Sequence, residues 1–392
     1  MRILVLSFYF DPDLCAGSFR NSFLVKDLSK KLTDEDIVEV ITTEPNRYST
    51  FSPSAPENET IGNIKIHRIQ LPVHNKEIFG QPRVFMSYLR GVLKFTQNQS
   101  YDLVYASSGR LLTAFLATLV ARRKRVPLYL DIRDIFTDNI RDLYSHSPVR
   151  LLLPLFEYIE RFSIRNAARV NLVSPGFIEH FRKIDLIKAF RVFTNGIDQI
   201  NDDYFSDELL CHSKYKEILY AGNIGDGQGL HRIIPSIASR LPPSWRIRII
   251  GDGGRRSLLE KAISGLDNVI LVAPLPRYEL VRYYRAASVL FVHLNDFSAF
   301  EKVLPSKLFE YAASGKPLLA GVKGVAATFI RENIENSAIF SPCDADGFLK
   351  GLEILRLEKT PRHSFCEQYQ RSYITDKMTD DILALACNPL EK

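Results

Sequence analysis

Two side chains of opposite charge, Lys307 and Glu310, lie three positions apart in VLPSKLFEYAASGKPLLAG (303–321), a segment whose other residues are mostly apolar or small. A buried charge is costly unless it is paired or binds a ligand. Pro305 and Ser306 are typical of a helix start, so the pattern predicts a short helix that carries both charges on one side.

Two interpretations of this pair are open. A phosphate bound at the helix start would satisfy Lys307 and the free backbone N–H groups that begin at Ser306, because the positive end of a helix attracts anions. Glu310, one turn further along, would then accept hydrogen bonds from vicinal hydroxyls such as those of a ribose. Alternatively, the two side chains form a surface ion pair that contributes only ~0.2–0.5 kcal/mol.

Strands and helices must alternate to position this segment, and the sequence predicts that they do. Short β-branched runs such as RILVLSF, IVEVITT, DLVYAS, EILYAG and SVLFVHL are separated by helical patterns. This order predicts parallel sheets covered by helices on both faces, and the number of strands favours two sheets. The pattern restarts near Tyr215 after a polar segment, 196–214, which we interpret as a linker.

We therefore expect an α/β protein of two Rossmann-like, doubly wound domains, residues 1–200 and 214–370, that face a central cleft. The C-terminal segment 371–392 has a helical pattern with no strand after it, and we expect it to pack back across the first domain. The polar segment 42–63 predicts a long loop. In such sheets ligands bind beyond the carboxyl ends of the strands, so functional residues should directly follow strands.

A second group of charged residues follows a predicted strand in YLDIRDIFTDN (129–139). Asp131, Arg133 and Asp134 are expected at the cleft, where Asp134 would position or deprotonate a hydroxyl and Arg133 would hold a phosphate. An internal ion pair between an arginine and an aspartate of this segment is the alternative.

Composition excludes several classes. The 392 residues are 46% hydrophobic with a net charge of +6, and no run of about 18 apolar residues predicts a membrane-spanning helix. The N-terminal stretch is predicted to be a first strand, not a signal peptide. Five cysteines without a CxxC pair indicate a reducing compartment and no zinc site. The three DxD triplets, at 11–13, 34–36 and 344–346, are interpreted as structural, so no metal is expected.

The basic segments 83–95 and 121–125 have two open interpretations. They are either solvated helix faces or surfaces attracted to anionic lipid or to an anionic substrate. Binding of nucleic acid is not expected, because no aromatic-basic repeat or known binding motif occurs.

The order and spacing of several motifs resemble those of family 4 retaining glycosyltransferases with the GT-B fold. FEKVLPSKLFEYAASGKPLLAG resembles their donor-nucleotide signature, and YAGNIGDGQGL and RIIGDGGRRSLLE resemble the first two strand-to-loop segments of their second domain. SFYFDPDLCAGSF resembles their opening glycine loop, and VNLVSPGFIEHF followed by VFTNGID resembles the end of their first domain. The resemblance covers nearly the whole chain and is weakest over 45–100. A subgroup acting on bacterial surface polysaccharides is similar in its PSK-FEY helix.

The resemblance implies roles for individual positions. Donor binding is expected from Gly17, Gly222, Asn223, Gly225, Gly229, Gly251, Ser306, Lys307 and Glu310. Catalytic roles are expected for Asp134, Arg133, Glu301 and Lys307.

Three departures from the family pattern are visible. Typical members have two glutamates with seven residues between them, but position 302, which precedes Glu310 by that spacing, holds Lys302, and Glu301 is adjacent. Asn223 and Gln228 stand where typical members have an arginine and a lysine on the diphosphate. Arg133 stands where related enzymes often have a histidine.

The resemblance implies retaining transfer of a hexosyl or N-acetylhexosaminyl unit from a nucleotide-diphosphate sugar to a lipid-linked or other glycan acceptor. Bacterial envelope polysaccharides such as lipopolysaccharide or capsule are the expected products. The nucleotide sugar is a co-substrate, and no cofactor is expected. The protein is expected in the cytoplasm, free or peripherally bound to the inner face of the plasma membrane.

Two other functions remain open. A nucleotide-sugar epimerase of the UDP-N-acetylglucosamine 2-epimerase type would invert C2 of the donor without an acceptor. A non-catalytic nucleotide-sugar-binding subunit would bind donor without turnover, and the departures at Lys302, Asn223 and Gln228 favour it.

Overall fold

The computed structural model describes residues 1–48, 53–72, 81–145, 147–198 and 214–388. The chain forms two compact units. The first comprises Met1–Arg47, Ser52–Thr194 and Tyr373–Lys392, and the second comprises Tyr48–Phe51 and Asn195–Ser372.

Eight strands form the sheet of the first unit. They are β1 (Arg2–Ser7), β2 (Ile37–Thr43), β3 (Asn58–Ile61), β4 (Ile64–Ile69), β5 (Leu103–Ser108), β6 (Leu128–Ile132), β7 (Arg169–Leu172) and β8 (Phe190–Arg191). Their spatial order is β3-β4-β2-β1-β5-β6-β7-β8. All pairs are parallel except β3 with β4, which are antiparallel at the edge of the sheet.

Six helices in the described residues connect these strands. They are α1 (Ala16–Lys31), α2 (Gln81–Thr96), α3 (Leu111–Lys124), α4 (Phe136–Leu143), α5 (Leu153–Asn166) and α6 (Ile178–Arg182). Turns of 3-10 helix precede α5 and α6, at Pro148–Leu152 and Pro175–Phe177. In α2, Val84, Tyr88 and Val92 recur at a spacing of four and are buried, so the apolar face of this helix packs in the core.

The second unit repeats the architecture with six parallel strands. They are β9 (Lys216–Ala221), β10 (Trp245–Ile250), β11 (Val269–Val272), β12 (Val289–His293), β13 (Leu318–Gly321) and β14 (Ser337–Phe340), in the spatial order β11-β10-β9-β12-β13-β14. Its helices are α7 (Leu230–Ala238), α8 (Arg256–Ala262), α9 (Arg277–Ala286), α10 (Lys307–Ala313), α11 (Gly324–Asn333), α12 (Ala345–Ile354) and α13 (His363–Gln368). A 3-10 turn, Ser298–Lys302, lies between β12 and α10.

The last helix, α14 (Arg371–Cys387), packs in the first unit. Met378, Ile382 and Leu385 are buried in the same apolar cluster as residues of β1, β2 and α1. Asp381, on the same helix, accepts hydrogen bonds from Tyr129 Oη (3.1 Å) and Arg169 Nη1 (2.6 Å). The helix is therefore attached to the sheet by both apolar and charged contacts.

The predicted fold, two parallel α/β sheets with a C-terminal helix that returns to the first, is confirmed. The strand β3 was not predicted, because NETI lies in the polar segment 42–63 and is an edge strand with little burial. Most of the predicted linker, 199–213, lies outside the described residues. Within the described part of the chain, no helix has the length and apolar character that a membrane crossing requires.

Ile382 tests how much α14 stabilises the first unit. Replacing this fully buried side chain with alanine leaves a cavity in the apolar cluster, so Ile382→Ala should lower the free energy of unfolding by about 2–5 kcal/mol. Tyr373→Ala, at an exposed position of the same helix, should change it by less than about 0.5 kcal/mol. Urea denaturation followed by circular dichroism measures both values. Equal effects would mean that α14 contributes little packing energy.

Candidate active site

The connections of the second unit leave a crevice between β9 and β12. From β9 the chain continues to β10, toward one edge of the sheet, whereas from β12 it continues to β13, toward the opposite edge. The strand order therefore reverses between β9 and β12. In doubly wound sheets ligands bind at the carboxyl ends of the strands at such a reversal. The residues there are Gly222, directly after β9, and His293, the last residue of β12.

Lys307 brings an unpaired positive charge to this crevice. Its Nζ atom lies 3.6 Å from the centroid of the Tyr220 ring, and a Cβ built on Gly222 would come within 2.9 Å of that nitrogen. Nζ is buried and has no hydrogen-bond partner among the described residues. Burial lowers the pKa of Lys307 to about 7, although the nearby Glu310 carboxylate opposes the shift. A bound anion would satisfy this ammonium group and return its pKa toward the usual range.

Glu310 does not pair with Lys307. Its Oε1 accepts a hydrogen bond from Arg277 Nη2 at 2.8 Å, and its Oε2 accepts a weaker one from Tyr284 Oη at 3.3 Å. The interpretation of Lys307 and Glu310 as a surface ion pair is therefore wrong. The carboxylate is held in one orientation and is partly exposed, so it can still accept a hydrogen bond from a ligand hydroxyl.

A chain of alternating charges extends from Glu310 through Arg277. Arg277 Nη1 also donates to Asp198, which accepts a second charged hydrogen bond from Arg371 Nε. Arg371 Nη2 in turn donates to the backbone oxygen of Gly196 at 2.8 Å. Sequence reasoning missed Arg277, because it lies 33 positions before Glu310 at the start of α9, and only the fold brings the two together.

The first glycine loop is closed by a neutral pair. Asn223 Nδ2 donates to Gln228 Oε1 at 2.8 Å, and the same oxygen accepts from Gly225 N at 3.2 Å. Tyr220 Oη donates to the Asn223 carbonyl oxygen at 2.6 Å. The two positions that lack the family's basic residues therefore shape the loop but bring no charge to the crevice.

Gly251 and Gly229 position the walls of the loop. A Cβ on Gly251 would lie 1.9 Å from the carbonyl oxygen of Gly222, so only glycine fits between the ends of β9 and β10. Gly229, directly before α7, has a φ of +57°. Sequence reasoning selected both, and their role in the structure is to allow close approach of backbone segments.

His293 is a structural residue of the crevice. It is fully buried. Its Nδ1 donates to the backbone oxygen of Gln228 at 2.6 Å, and its Nε2 accepts from the backbone N of Cys343 at 2.9 Å. Burial lowers its pKa to about 4, so the ring is neutral at physiological pH. Its hydrogen bonds hold the glycine loop against the end of β14.

The remaining predicted residues of this unit are less constrained. Ser306 directly precedes α10, and its side chain makes no capping hydrogen bond. Glu301 is exposed on the 3-10 turn Ser298–Lys302, and its backbone oxygen lies against Gly324, the first residue of α11.

In the first unit, the three charged residues that follow β6 have different environments. Asp131 is fully buried and accepts from Arg20 Nε at 2.9 Å and from Asn171 Nδ2 at 2.7 Å, so its predicted place in a ligand site is wrong. The ion pair within the segment 129–139 that the sequence left open is not formed between described residues, and Asp131 pairs with Arg20 of α1 instead. Arg133 lies against Gly17, where a Cβ would come within 1.8 Å of Nη1.

Asp134 faces a cleft of the first unit. The cleft is lined by residues including Ser108, Gly109, Phe136 and Glu160. Asp134 accepts hydrogen bonds from Asn139 Nδ2 (2.8 Å) and from the backbone N of Ile135 (3.0 Å). Burial raises the pKa of Asp134 despite these two donors. A fixed carboxylate with a raised pKa is a better proton acceptor near neutral pH than an ordinary aspartate.

Comparison with known families assigns both units. Residues 25–196 match the family described as "Glycosyl transferase 4-like domain", and residues 203–372 match the one described as "Glycosyl transferases group 1". The chain therefore belongs to the glycosyltransferases of the GT-B fold.

Curated relatives agree with this assignment. The chain is 26% identical over 285 residues to the sulfoquinovosyl transferase SQD2 of Arabidopsis thaliana. This match covers 67% of this chain and 51% of the relative. The chain is 34% identical over 116 residues to the putative colanic acid biosynthesis glycosyl transferase WcaI of Escherichia coli. This second match covers 29% of this chain and 28% of the relative. The chain thus matches about half of the first relative and about a quarter of the second.

Solved structures share the fold over nearly their whole length. Sucrose-phosphate synthase from Thermosynechococcus elongatus superposes with a TM-score of 0.74 at 17% identity and 98% coverage of both chains. Anabaena HepE in complex with UDP and glucose superposes with a TM-score of 0.66 at 16% identity, with coverage of 98% of this chain and 99% of that one.

The lowered pKa of Lys307 predicts a pH dependence of stability without ligand. Between about pH 7 and the ordinary lysine pKa of 10.5, the unfolded chain holds a proton on Lys307 that the folded chain has lost, so the contribution of this group to stability rises with pH. Lys307→Met removes the effect. The variant should therefore be more stable than the wild type at pH 6, and the difference should shrink as the pH approaches 9.5.

Thermal unfolding at several pH values measures this difference. Lys350→Met, the same replacement at an exposed position on α12, is the matched control. A difference between Lys307→Met and the wild type that stays constant with pH would show that Lys307 keeps an ordinary pKa.

Proposed function

We propose that this protein is a retaining glycosyltransferase that moves a sugar from a nucleotide-diphosphate sugar to a glycan acceptor. One observation carries the proposal: the ammonium of Lys307 is buried on Gly222, at the strand-order reversal of the second unit, with no hydrogen-bond partner among the described residues. A buried cation without a partner is costly, and a diphosphate would remove that cost.

The donor contacts follow from the same geometry. Lys307 holds the diphosphate and stabilises the negative charge that develops as it leaves, since a preorganised cation in a dry site acts strongly on such charge. The glycines of the first loop allow the phosphates to approach the backbone. Glu310, oriented by Arg277, accepts hydrogen bonds from the ribose hydroxyls.

Asp134 is the proposed acceptor-side group. Its carboxylate is oriented by Asn139 and lines the cleft of the first unit. There it would position the attacking hydroxyl of the acceptor and accept its proton. Retention at the anomeric carbon requires the acceptor to attack on the face that the diphosphate leaves. Glu301, exposed on its turn, is proposed to contact the donor sugar. No residue of this scheme needs a metal ion, and among the described residues no cluster of three or more metal-ligating side chains occurs.

The proposed acceptor is a lipid-linked glycan of a bacterial envelope polysaccharide, and the sugar is a hexose or an N-acetylhexosamine. The similarity to WcaI, whose name places it in colanic acid biosynthesis, supports this choice. The alternative, a non-catalytic donor-binding subunit, is supported by the neutral Asn223–Gln228 pair. An epimerase of the same fold would act on the donor alone.

An exposed apolar stripe supports peripheral contact with a membrane. Leu151, Leu155 and Tyr158 recur at helical spacing before and along α5, and each is more than half exposed. Arg150 and Arg161, both exposed, flank this stripe. Apolar side chains beside basic ones suit the boundary of an anionic bilayer, whereas the apolar face of α2 is already buried in the core.

A thermal-shift screen with UDP, GDP, ADP, TDP and CMP, with and without EDTA, tests donor binding. A nucleotide at 100 times its dissociation constant should stabilise the protein by about 2.7 kcal/mol. Lys307→Met should weaken binding of the preferred diphosphate at least tenfold but leave binding of the corresponding nucleoside unchanged, because only the phosphate contacts Lys307. If nucleoside and diphosphate lose affinity equally, Lys307 does not hold the phosphate.

The ribose contact has its own variant. Glu310→Ala should weaken nucleotide binding more than tenfold, since a hydrogen bond to a charged group contributes about 1.5–3 kcal/mol. Glu353→Ala, an exposed carboxylate on α12, serves as the control. Transfer from the identified donor to lipid-linked glycans then separates the candidate functions. Donor binding without turnover supports the non-catalytic subunit, and inversion of C2 without an acceptor supports the epimerase.

The apolar stripe makes a separate prediction. Leu151→Ser combined with Leu155→Ser should reduce co-sedimentation with vesicles of phosphatidylglycerol and phosphatidylethanolamine several-fold without loss of stability, because both side chains are already exposed to water. Leu186→Ser combined with Ile187→Ser, at exposed positions outside the stripe, is the control. Equal vesicle binding by the wild type and both variants would refute membrane contact through the stripe.

A further inference from the structure

Four charged side chains of alternating sign connect the proposed ribose site to the ends of the long segment of the second unit, Asn195–Ser372. Glu310 of α10 accepts from Arg277 Nη2 at 2.8 Å, and Arg277 Nη1 donates to Asp198. Asp198 also accepts from Arg371 Nε. The four formal charges cancel, so this network is neutral as a whole. Its far end lies where the segment begins, at Asp198, and where it ends, at Arg371.

The guanidinium of Arg277 fixes the direction of the Glu310 carboxylate. Its two terminal nitrogens bind different carboxylates, Glu310 and Asp198, so a rotation that keeps one hydrogen bond breaks the other. Tyr284 Oη reaches the second oxygen of Glu310 at 3.3 Å, which is a longer and weaker contact. A carboxylate offers about four acceptor positions, so places remain for two ligand hydroxyls.

Asp198 needs an anchor, because its side chain is 41% exposed. Arg371 supplies it, since Nε donates to Asp198 while Nη2 donates to the backbone oxygen of Gly196 at 2.8 Å. The backbone of Arg371 is held as well: its N donates to the oxygen of Ile197 at 2.7 Å, and the N of Ile197 donates to the oxygen of Tyr369 at 2.9 Å. A Cβ on Gly196 would lie 2.8 Å from Arg371 Cα, so only glycine allows this close pairing.

The carboxylate of Asp198 is shared between two arginines. Its Oδ2 accepts from Arg277 and its Oδ1 accepts from Arg371. Arg371 is buried, and burial lowers its pKa although Asp198 opposes the shift. A buried arginine that only needed a counter-ion would be satisfied by Asp198 alone. Because the same carboxylate also binds Arg277, the position of Arg277 is coupled to that of Arg371 through a single side chain.

We propose that Asp198 and Arg371 are positioning residues for recognition of the nucleotide ribose. Acting through Arg277, they hold the Glu310 carboxylate in the orientation that accepts hydrogen bonds from both vicinal hydroxyls. A carboxylate held in this way distinguishes ribose from 2′-deoxyribose, because the missing hydroxyl leaves an oriented charged acceptor without its donor. The inference rests on the proposed function, which assigns Glu310 to the ribose, and it restricts the donor to a ribonucleotide.

The test compares UDP, GDP and ADP, each with its 2′-deoxy form, by isothermal titration calorimetry on the full chain. The wild type should bind the preferred ribonucleotide at least tenfold more tightly than its 2′-deoxy form. Asp198→Asn removes the charge that orients Arg277, and Arg371→Gln releases Asp198. Both variants should lower this ratio of affinities to less than threefold, by weakening ribonucleotide binding. Arg371→Lys, which keeps the positive charge, should restore part of the ratio.

Arg248→Gln is the matched control. Arg248 binds Glu217 at 2.9 Å, in an ion pair of the same unit that has similar exposure but lies outside the network. The variant should keep the wild-type ratio even if it lowers stability. Urea denaturation of every variant separates a loss of fold from a loss of selectivity, because a destabilised but folded protein still binds the two forms of a nucleotide with the same ratio.

A double-mutant cycle locates the effect of Asp198. In a Glu310→Gln background the oriented carboxylate is gone, so adding Asp198→Asn should change ribonucleotide affinity by less than twofold. A larger further loss would mean that Asp198 acts on another part of the site, and the inference would be wrong.

Two other outcomes would overturn the inference. One is an unchanged ratio in Asp198→Asn or in Arg371→Gln. The other is an equal loss of affinity for both forms of the nucleotide, which a purely structural network would produce. In either case the wild type still prefers the ribonucleotide, and the assignment of Glu310 stands. If the wild type binds none of the three ribonucleotides, the proposed function fails and the inference fails with it.

Discussion

The cost of burying a cation without an anion is the constraint on which both sites depend. Most charged groups in the cores of the two units are satisfied: Asp131 is paired with Arg20, and Arg362 donates to three backbone oxygens. At Lys307 and at Arg133, by contrast, a side-chain nitrogen is buried beside a glycine without a hydrogen-bond partner among the described residues. A fold that keeps such groups in its ligand-free form stays stable only if packing elsewhere compensates, and it is prepared to bind an anion strongly.

Glycine makes each arrangement possible. Lys307 lies on Gly222 after β9, and Arg133 lies on Gly17 after β1, so in each unit a cation rests on the glycine that follows the first strand. A side chain at either glycine would overlap with the cation. The same small residue that allows a ligand to approach the backbone therefore also lets the charge reach the strand ends. The strand-order reversal keeps that place free of connecting helices.

The pair Asn223 and Gln228 in the first glycine loop is neutral, so the positive charge at the crevice comes from Lys307 on α10. Because Asn223 and Gln228 bond to each other, they close the glycine loop without bringing a charge to it, and Lys307 supplies the positive charge at the crevice. Glu310 is likewise kept from neutralising Lys307, since Arg277 holds its carboxylate. The lysine thus stays available for a ligand because its neighbours have other partners.

The sequence by itself determined the alternation of strands and helices, the two sheets and the candidate glycines, because periodicity and turn chemistry are local properties. It also selected Lys307, as a charge at the start of a helix in an apolar segment, and Arg133, as one of three charges near the end of a strand. Only the tertiary structure decided their partners. The arginine on Glu310 lies 33 positions before it, the arginine on Asp131 lies 111 positions before it, and β3 forms only because β4 offers an edge. Ion pairs and edge pairing depend on contacts between distant segments, and no local pattern encodes which of several arginines a carboxylate will meet.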